Sequence, residues 1–331
     1  MLSPIRLGAV LLDPPLLQAP MEGISDVIFR RTLRRIGGVG LTCTEFVPAK
    51  GLPAARGKLR EMVAVDEGEH PVAVQLYGRD PEVLAQGARH VVEDLGADVV
   101  DLNMGCPSKQ VVAHSGGASL MRDPALVREI VGRVRAAVRC PLTVKMRAGW
   151  DDDALNAPEI ASICEGEGAD LVTVHWRTKA QGYGGTRRWD TVGQVVSAVK
   201  IPVVANGDIL GIAEAREALE QTGAAGLMVG RGAVRDPWTF AQIAAWGRGA
   251  PFTPPTVEER VAVWLAYLEA YREQSRSDKG ALGRFKQLSK FYALAVPGAD
   301  ALRQDLLRCH ATGEAAELIH RWAAPRVSGG A

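Results

Sequence analysis

The sequence predicts an α/β fold, a (β/α)8 TIM barrel with a C-terminal all-helical domain, on three observations. Eight short apolar runs recur between residues 16 and 229, most of them Val-rich and with little polar alternation, as strands buried on both faces require. Helix-start and helix-stop signals punctuate the stretches between them. Beyond about residue 256 the apolar period becomes helical.

The strands are expected at 16–20, 41–47, 72–77, 99–103, 142–147, 171–175, 203–206 and 226–229. Helices at 81–94, 124–138 and 237–245 each open on an Asp-Pro pair: Asp80-Pro81, Asp123-Pro124 and Asp236-Pro237. The acid caps free backbone N–H groups, and proline suits the first turn, where an N–H has no partner. Residues 190–199 and 211–221 are similarly amphipathic. Gly96-Ala97, Gly168-Ala169 and Gly223-Ala224 each stand just before a strand, where glycine closes the preceding helix in a left-handed conformation. A doubly wound sheet would want a Gly-x-Gly-x-x-Gly turn after its first strand, and none is there. Residues 1–15, with an apolar stretch from Leu7 to Leu12, read as a loose lead-in. A Gly- and Pro-rich linker at 247–256 separates the barrel, 1–245, from the helical domain, 246–331, with helices at 257–274, 281–295, 299–309 and 313–323.

Composition narrows the function classes. The 331 residues are 47% hydrophobic and 23% charged, enough to bury a large core and unlike a disordered chain. Lys plus Arg is 39 against 38 Asp plus Glu, a net charge of +1. A protein gripping nucleic acid over a whole face is usually more basic, so such a partner must meet a local patch. The segment 245–331 holds 12 basic and 9 acidic residues, which puts the basic surface on the appendage. Five scattered cysteines with no CxxC pair point to a reducing compartment and to no metal site. No apolar run reaches membrane-spanning length. A cytoplasmic, monomeric protein without membrane association is expected.

In a barrel, chemistry gathers at the C-terminal strand ends. Those ends carry Pro20 and Met21, Glu45, Gln75, Asn103 and Cys106, Lys145 and Arg147, His175 and Arg177, Asn206-Gly207-Asp208, and Gly230-Arg231-Gly232. Lys145 is the sharpest of these: within Leu-Thr-Val-Lys-Met-Arg it needs a carboxylate such as Glu45, or else a bound anion or cofactor ring. The turns after the seventh and eighth strands, 206–208 and 230–232, fall where this architecture cradles phosphate, with backbone N–H groups and Arg231 as donors. Cys106 lies just past a strand among Gly, Pro, Ser and Lys, where a thiol acts as nucleophile or acid; Lys109 is near enough to lower its pKa, and His114 sits eight residues on. Residues 108–119 read as a mobile active-site loop, and 181–189, with two aromatics and two arginines, as a base-stacking or plain surface loop.

Taken in order, these stretches carry a resemblance. Ala-Pro-Met-Glu-Gly at 19–23, Val-Gln-Leu-Tyr-Gly at 74–78, Asp-Leu-Asn-Met-Gly-Cys-Pro-Ser-Lys at 101–109, Val-Lys-Met-Arg-Ala-Gly-Trp at 144–150, His-Trp-Arg-Thr-Lys-Ala-Gln-Gly-Tyr at 175–183 and Met-Val-Gly-Arg-Gly-Ala at 228–233 resemble the tRNA-dihydrouridine synthases. The likeness covers nearly all of 16–325, and its motifs look most similar to the bacterial C-type branch. It implies reduction of the C5=C6 bond of particular uridines in tRNA. FMN would lie against Pro20 and Met21, with Gln75 and Lys145 on the polar edge of its ring and His175 on its ribityl or phosphate region. Asn206, Gly207, Asp208, Gly230 and Arg231 would surround its phosphate. NADPH, or less often NADH, would reduce FMN. Hydride would pass to C6 and a proton from Cys106 to C5. Asn103 would orient the uracil, with Arg177 near the substrate. The tail resemblance, Gly-Arg-Phe-Lys-Gln at 283–287, implies tRNA contacts from Arg284 and Lys286, and Arg272, Arg276, Lys279 and Lys290 are further candidates. Trp176 departs from the small residue common at its position and either reshapes the pocket or packs outward. Two other readings share parts of this pattern: a flavin barrel acting on a free pyrimidine, and a non-catalytic RNA-binding protein.

Overall fold

A computed structural model describes residues 2–108, 111–112 and 116–327 of the chain. Its centre is a ring of parallel strands: β1 (Leu16–Gln18), β2 (Thr42–Cys43, resuming at Val47–Pro48), β3 (Val72–Tyr77), β4 (Val99–Met104), β5 (Leu142–Arg147), β6 (Leu171–His175), β7 (Val203–Asn206) and β8 (Gly226–Val229). Each pairs with its sequence neighbour from β2 to β8; β8 pairs with β1, and a Leu17–Leu41 bridge joins β1 to β2. The predicted barrel is therefore present, with a distinct helical region after it.

Helices wrap the ring: α1 (Val27–Ile36), α2 (Pro81–Glu93), α3 (Pro124–Ala137), α4 (Ala157–Gly166), α5 (Asp190–Ala198), α6 (Ile212–Thr222), the short α7 (Arg231–Arg235) and α8 (Thr239–Gly247). The caps at Asp80 and Asp123 form as their Asp-Pro pairs predict, each carboxylate accepting from first-turn N–H groups. Gly96, Gly168 and Gly223 have φ of 72°, 92° and 68°, the left-handed closure their positions predict. At Asp236-Pro237 the helix starts two residues later than expected, at Thr239: Asp236 Oδ1 accepts from Trp238 N–H at 3.1 Å ahead of the first turn, and the same carboxylate pairs with Arg260 at 3.2 Å.

The strand period of two sorts residues between two cores. Outward-facing Leu16, Val100, Leu102 and Val144 pack under the helices, while Leu17, Val99, Leu171 and Val204 fill the barrel's lower interior. Going up the strands, the interior turns polar, through Asp101, Thr143 and Thr173 to Gln75, Asn103, Lys145 and His175. The lead-in is more ordered than expected: Ile5–Leu7 and Val10–Leu12 form an antiparallel hairpin whose Ile5, Leu7 and Leu12 close the barrel floor. The predicted 41–47 strand is interrupted at 44–46, where the Glu45 carboxylate turns to accept from Gly23 N–H at 2.6 Å.

The helical region comprises α9 (Val257–Gln274), α10 (Asp278–Tyr292), α11 (Asp300–Arg308) and α12 (Thr312–Val327). Thr256 and Glu259 close a capping box at the start of α9. Its core is tied by Trp264, whose indole N–H donates to Ser289 Oγ at 2.9 Å and whose ring meets Tyr292 edge-on at 5.2 Å. Among the described residues no helix is long and apolar enough to cross a membrane.

Candidate active site

The C-terminal strand ends enclose a cavity of about 450 Å³. Its wall includes Pro20 and Met21 after β1, Gln75 on β3, and Asn103 and Cys106 at the end of β4. Lys145 and Arg147 of β5 and His175 of β6 stand beside them. Asn206, Gly207 and Asp208 after β7, with Gly230 and Arg231 after β8, complete the ring. Of the residues the sequence places at the strand ends, all but Glu45 and Arg177 thus meet in one cavity.

A directed chain of hydrogen bonds fixes the floor. The buried Asp101 carboxylate accepts from Thr143 Oγ1 and Gln75 Nε2. Gln75 Oε1 must then accept, and does so from Asn103 Nδ2 at 2.8 Å. Asn103 Oδ1 in turn accepts from the N–H groups of Gly105 and Cys106, at 3.1 and 2.9 Å. Asp101 thereby orients two amides and the Cys106 backbone. Burial raises its own carboxyl to about 6.

Lys145 makes no hydrogen bond or ion pair among the described residues. Glu45, the partner considered for it, is occupied by Gly23 and Arg284. Burial, reinforced by Arg147, lowers the Lys145 ammonium to about 8. His175 is held neutral by burial and by the surrounding cations. Its Nδ1 accepts from Arg177 N–H at 3.1 Å, which leaves the proton on Nε2. The Cys106 thiol is raised above its ordinary value by burial, against an opposing N–H from Ser108. Lys109 and His114, and part of the 108–119 loop, lie outside the described residues.

Three predicted substrate contacts sit elsewhere. Arg177 is buried behind the cavity, bonded to Asp208 and Gly184 O and stacked 4.0 Å over the Trp176 ring. Trp176 packs outward, against the Gly207 turn. Lys286 caps the carbonyls of Leu307 and Cys309 at 3.0 and 2.6 Å. Arg284 reaches Asp26 of the barrel at 2.5 Å. Arg147 was visible only as a strand residue; it bonds the carbonyls of Gly105, Thr178 and Gly182 and so ties the Cys106 turn to the loop after β6. Phe46, inside the strand expected at 41–47, and Phe291 also line the cavity, and neither was named as a site residue from the sequence.

The donor set suits a flavin mononucleotide. An enclosed cation without a partner faces the cavity beside a neutral imidazole N–H. Gly207, at φ 118°, leaves backbone where a Cβ would lie 2.6 Å from Trp176 and 2.8 Å from His175. Asp208 counts against an anion at first sight. However, its carboxylate is taken by Arg177 and Arg231, which hold it below its ordinary value although burial opposes them. No cluster suited to a metal occurs among the described residues.

Such a barrel mouth, with an unpaired ammonium and a thiol on neighbouring strands, offers the donors that a flavin-dependent oxidoreductase would need. Comparison with known proteins makes this specific. The family model for dihydrouridine synthase (Dus) matches residues 17–326. A probable tRNA-dihydrouridine synthase of Rhodobacter capsulatus is 45% identical over 253 residues, covering 76% of this chain and 78% of its own. The tRNA-dihydrouridine synthase B of Pseudomonas aeruginosa is 35% identical over 99% of this chain and 98% of its own. Among solved structures, a variant of NCR from Zymomonas mobilis shares the fold, with a TM-score of 0.54 at 18% identity over 78% of this chain and 94% of that one. The chain belongs to the dihydrouridine synthase family.

Proposed function

We propose that this chain reduces the C5=C6 bond of uridines in tRNA to 5,6-dihydrouridine, with FMN as resident cofactor and NADPH, or NADH, as reductant. The observation that carries the reading is that Lys145 and Cys106 line one cavity. When bound, FMN supplies the two electrons and the hydrogen that the double bond takes up at C6. Cys106 donates the proton that completes C5. A thiol raised by burial keeps that proton at neutral pH, as an acid must.

The other residues bind and orient. Lys145 offers positive charge to the electron-rich edge of the ring. Pro20 and Met21 back its face, and Gln75, held by Asp101, meets its polar edge. His175 Nε2–H, Arg231 and the backbone at Gly207 and Gly230 take the ribityl and phosphate groups. Asp208 aims Arg231. Asn103 keeps one Nδ2–H for a uracil carbonyl, since the other is committed to Gln75. Arg177 acts from behind the surface and Arg284 is committed to Asp26, so phosphate contacts on the helical region fall to the exposed Arg276 and Lys279 and to Lys290. The two related synthases of Pseudomonas that carry a branch letter are B-type, which we adopt over the C-type resemblance of the motifs.

The test is to supply the flavin-loaded protein with NADPH and either an unmodified tRNA transcript or free uridine. The expected result is dihydrouridine in the tRNA by mass spectrometry and none from free uridine. Turnover of free uridine alone would favour a small-molecule reductase. Binding of tRNA without either product would favour a non-catalytic protein.

A further inference from the structure

One wall of the cavity does not come from the barrel. Phe291, in the last turn of α10, closes part of its rim. Its placement follows from how α10 docks. Arg284 meets Asp26 at 2.5 Å and Glu45 at 3.9 Å. Tyr271 of α9 donates to the same Asp26 carboxylate at 3.0 Å. Gln287 lies so close to the loop after β1 that a Cβ on Gly23 would stand 2.7 Å from its Nε2. Residues 284, 287 and 291 fall at i, i+3 and i+7, one stripe of a helix. With the first two anchored on the barrel, the third is delivered into the mouth.

The anchors have apolar neighbours. Ile24 follows Gly23, and Phe46 follows Glu45; both line the cavity. The docking contacts therefore gather Ile24, Phe46 and Phe291 in one sector of the mouth, otherwise rich in polar groups. Lys290 stands 4.7 Å from the centre of the Phe291 ring, and its ammonium makes no ion pair among the described residues. That contact puts the ammonium over one face of the ring; an aromatic ring with a cation that has no carboxylate partner suits one nucleotide, the flat base on the ring and its phosphate on the ammonium.

We propose that Phe291 is the stacking platform for the swung-out uracil of the tRNA, with Lys290 meeting the phosphate of that nucleotide. The proposal rests on the reading above and assigns the helical region a direct share of the reacting site. A base taken out of the RNA loses its stacking neighbours, and an aromatic side chain restores one. The in-plane edge of the uracil is left to Asn103 and its face to Phe291.

The test uses flavin-loaded wild type, Phe291→Ala, Phe291→Leu, Phe291→Tyr and Lys290→Ala, reduced anaerobically with NADPH and mixed with an unmodified tRNA transcript. Return of the oxidised flavin absorbance reports the step. The variants are expected to keep their FMN and their rate of reduction by NADPH. Reoxidation by tRNA should slow by about 5- to 150-fold in Phe291→Ala, the equivalent of ~1–3 kcal/mol of base stacking. Phe291→Leu keeps apolar bulk without the aromatic face and should also be slow, whereas Phe291→Tyr should be near wild type. Lys290→Ala should need more tRNA to saturate, with little change in maximal rate. Wild-type reoxidation rates in both Phe291→Ala and Phe291→Leu would overturn the proposal. Loss of FMN from them would also overturn it, placing the ring against the cofactor instead. Failure of tRNA to reoxidise the wild-type protein would remove the underlying function as well.

Discussion

Two enclosed cations show opposite ways of using buried charge. Arg30, under the loop after β1, is fully buried and fully partnered. Its guanidinium pairs with both oxygens of Glu69, at 2.7 and 2.8 Å, and with the carbonyls of Ser25 and Ala64. Lys145, on the cavity floor, has no such partner, and burial lowers its ammonium to about 8. The thiols divide similarly. Cys164 lies in an apolar core that pushes it up to about 12, whereas Cys106 lies at the mouth. Where the protein itself satisfies a polar group, the group serves the fold. Where it leaves one facing a cavity, a ligand completes it.

The largest expected effect tests the thiol half of this contrast. Cys106→Ala should lower dihydrouridine formation by about 10²- to 10⁴-fold, the usual share of general-acid catalysis, with FMN content unchanged. Cys164→Ala should leave turnover intact and cost about 1 kcal/mol of stability, as a small cavity does. Equal activity of the two variants, measured as product in tRNA, would erase the distinction.

Removing each cation should separate the other half. Arg30→Met leaves Glu69 buried without its partner and should cost ~3–5 kcal/mol in urea unfolding. Lys145→Met removes an unpaired enclosed charge, so the cofactor-free protein should be as stable as wild type or more so. Its cost should appear in FMN affinity, weakened about tenfold or more, as for loss of one charge-assisted contact. A Lys145→Met protein that unfolds as readily as Arg30→Met would mean that the lysine is structural after all.

Much of this was legible because its causes are local. The Asp-Pro caps at 80 and 123 and the three Gly-Ala closures act within one turn, so sequence alone places them. The strand period is local too: counting by two from Asp101 reaches Asn103, and from Lys145 reaches Thr143 and Arg147, all on the barrel's inner side. The illegible parts depend on distant partners. Asp236 looked like the cap of a helix at 237, but it is shared between Trp238 N–H and the distant Arg260, and the hairpin at 5–12 is held by the barrel floor it closes. Arg284 reads as a surface cation, yet it meets Asp26 from 258 residues away. Phe291 belongs to the site only because that contact brings α10 to the mouth; the stripe 284, 287 and 291 was present in the sequence, but nothing local said what it faced.

The smallest expected effect is a pH dependence whose sign follows from Lys145. An unfolded lysine titrates near about 10.4, but in the fold Lys145 is lowered to about 8 by burial and by Arg147. Below about 8 both states hold the proton, and this group contributes no slope. Between about 8 and 10.4 the unfolded chain holds a proton that the folded one has released, so stability rises with pH in that window. One group gives at most ~1.4 kcal/mol per pH unit; solvent reaching the open cavity should reduce this to ~0.5 kcal/mol per unit. The clean reading is the difference between cofactor-free wild type and Lys145→Met in urea midpoints from pH 7 to 10, since other titrating groups cancel. Wild type should gain on the variant as pH rises. With FMN bound, its negative charge favours the ammonium, so the gain should shrink. Parallel curves for the two cofactor-free proteins would show that the ammonium is not enclosed, and the contrast with Arg30 would fail at its physical root.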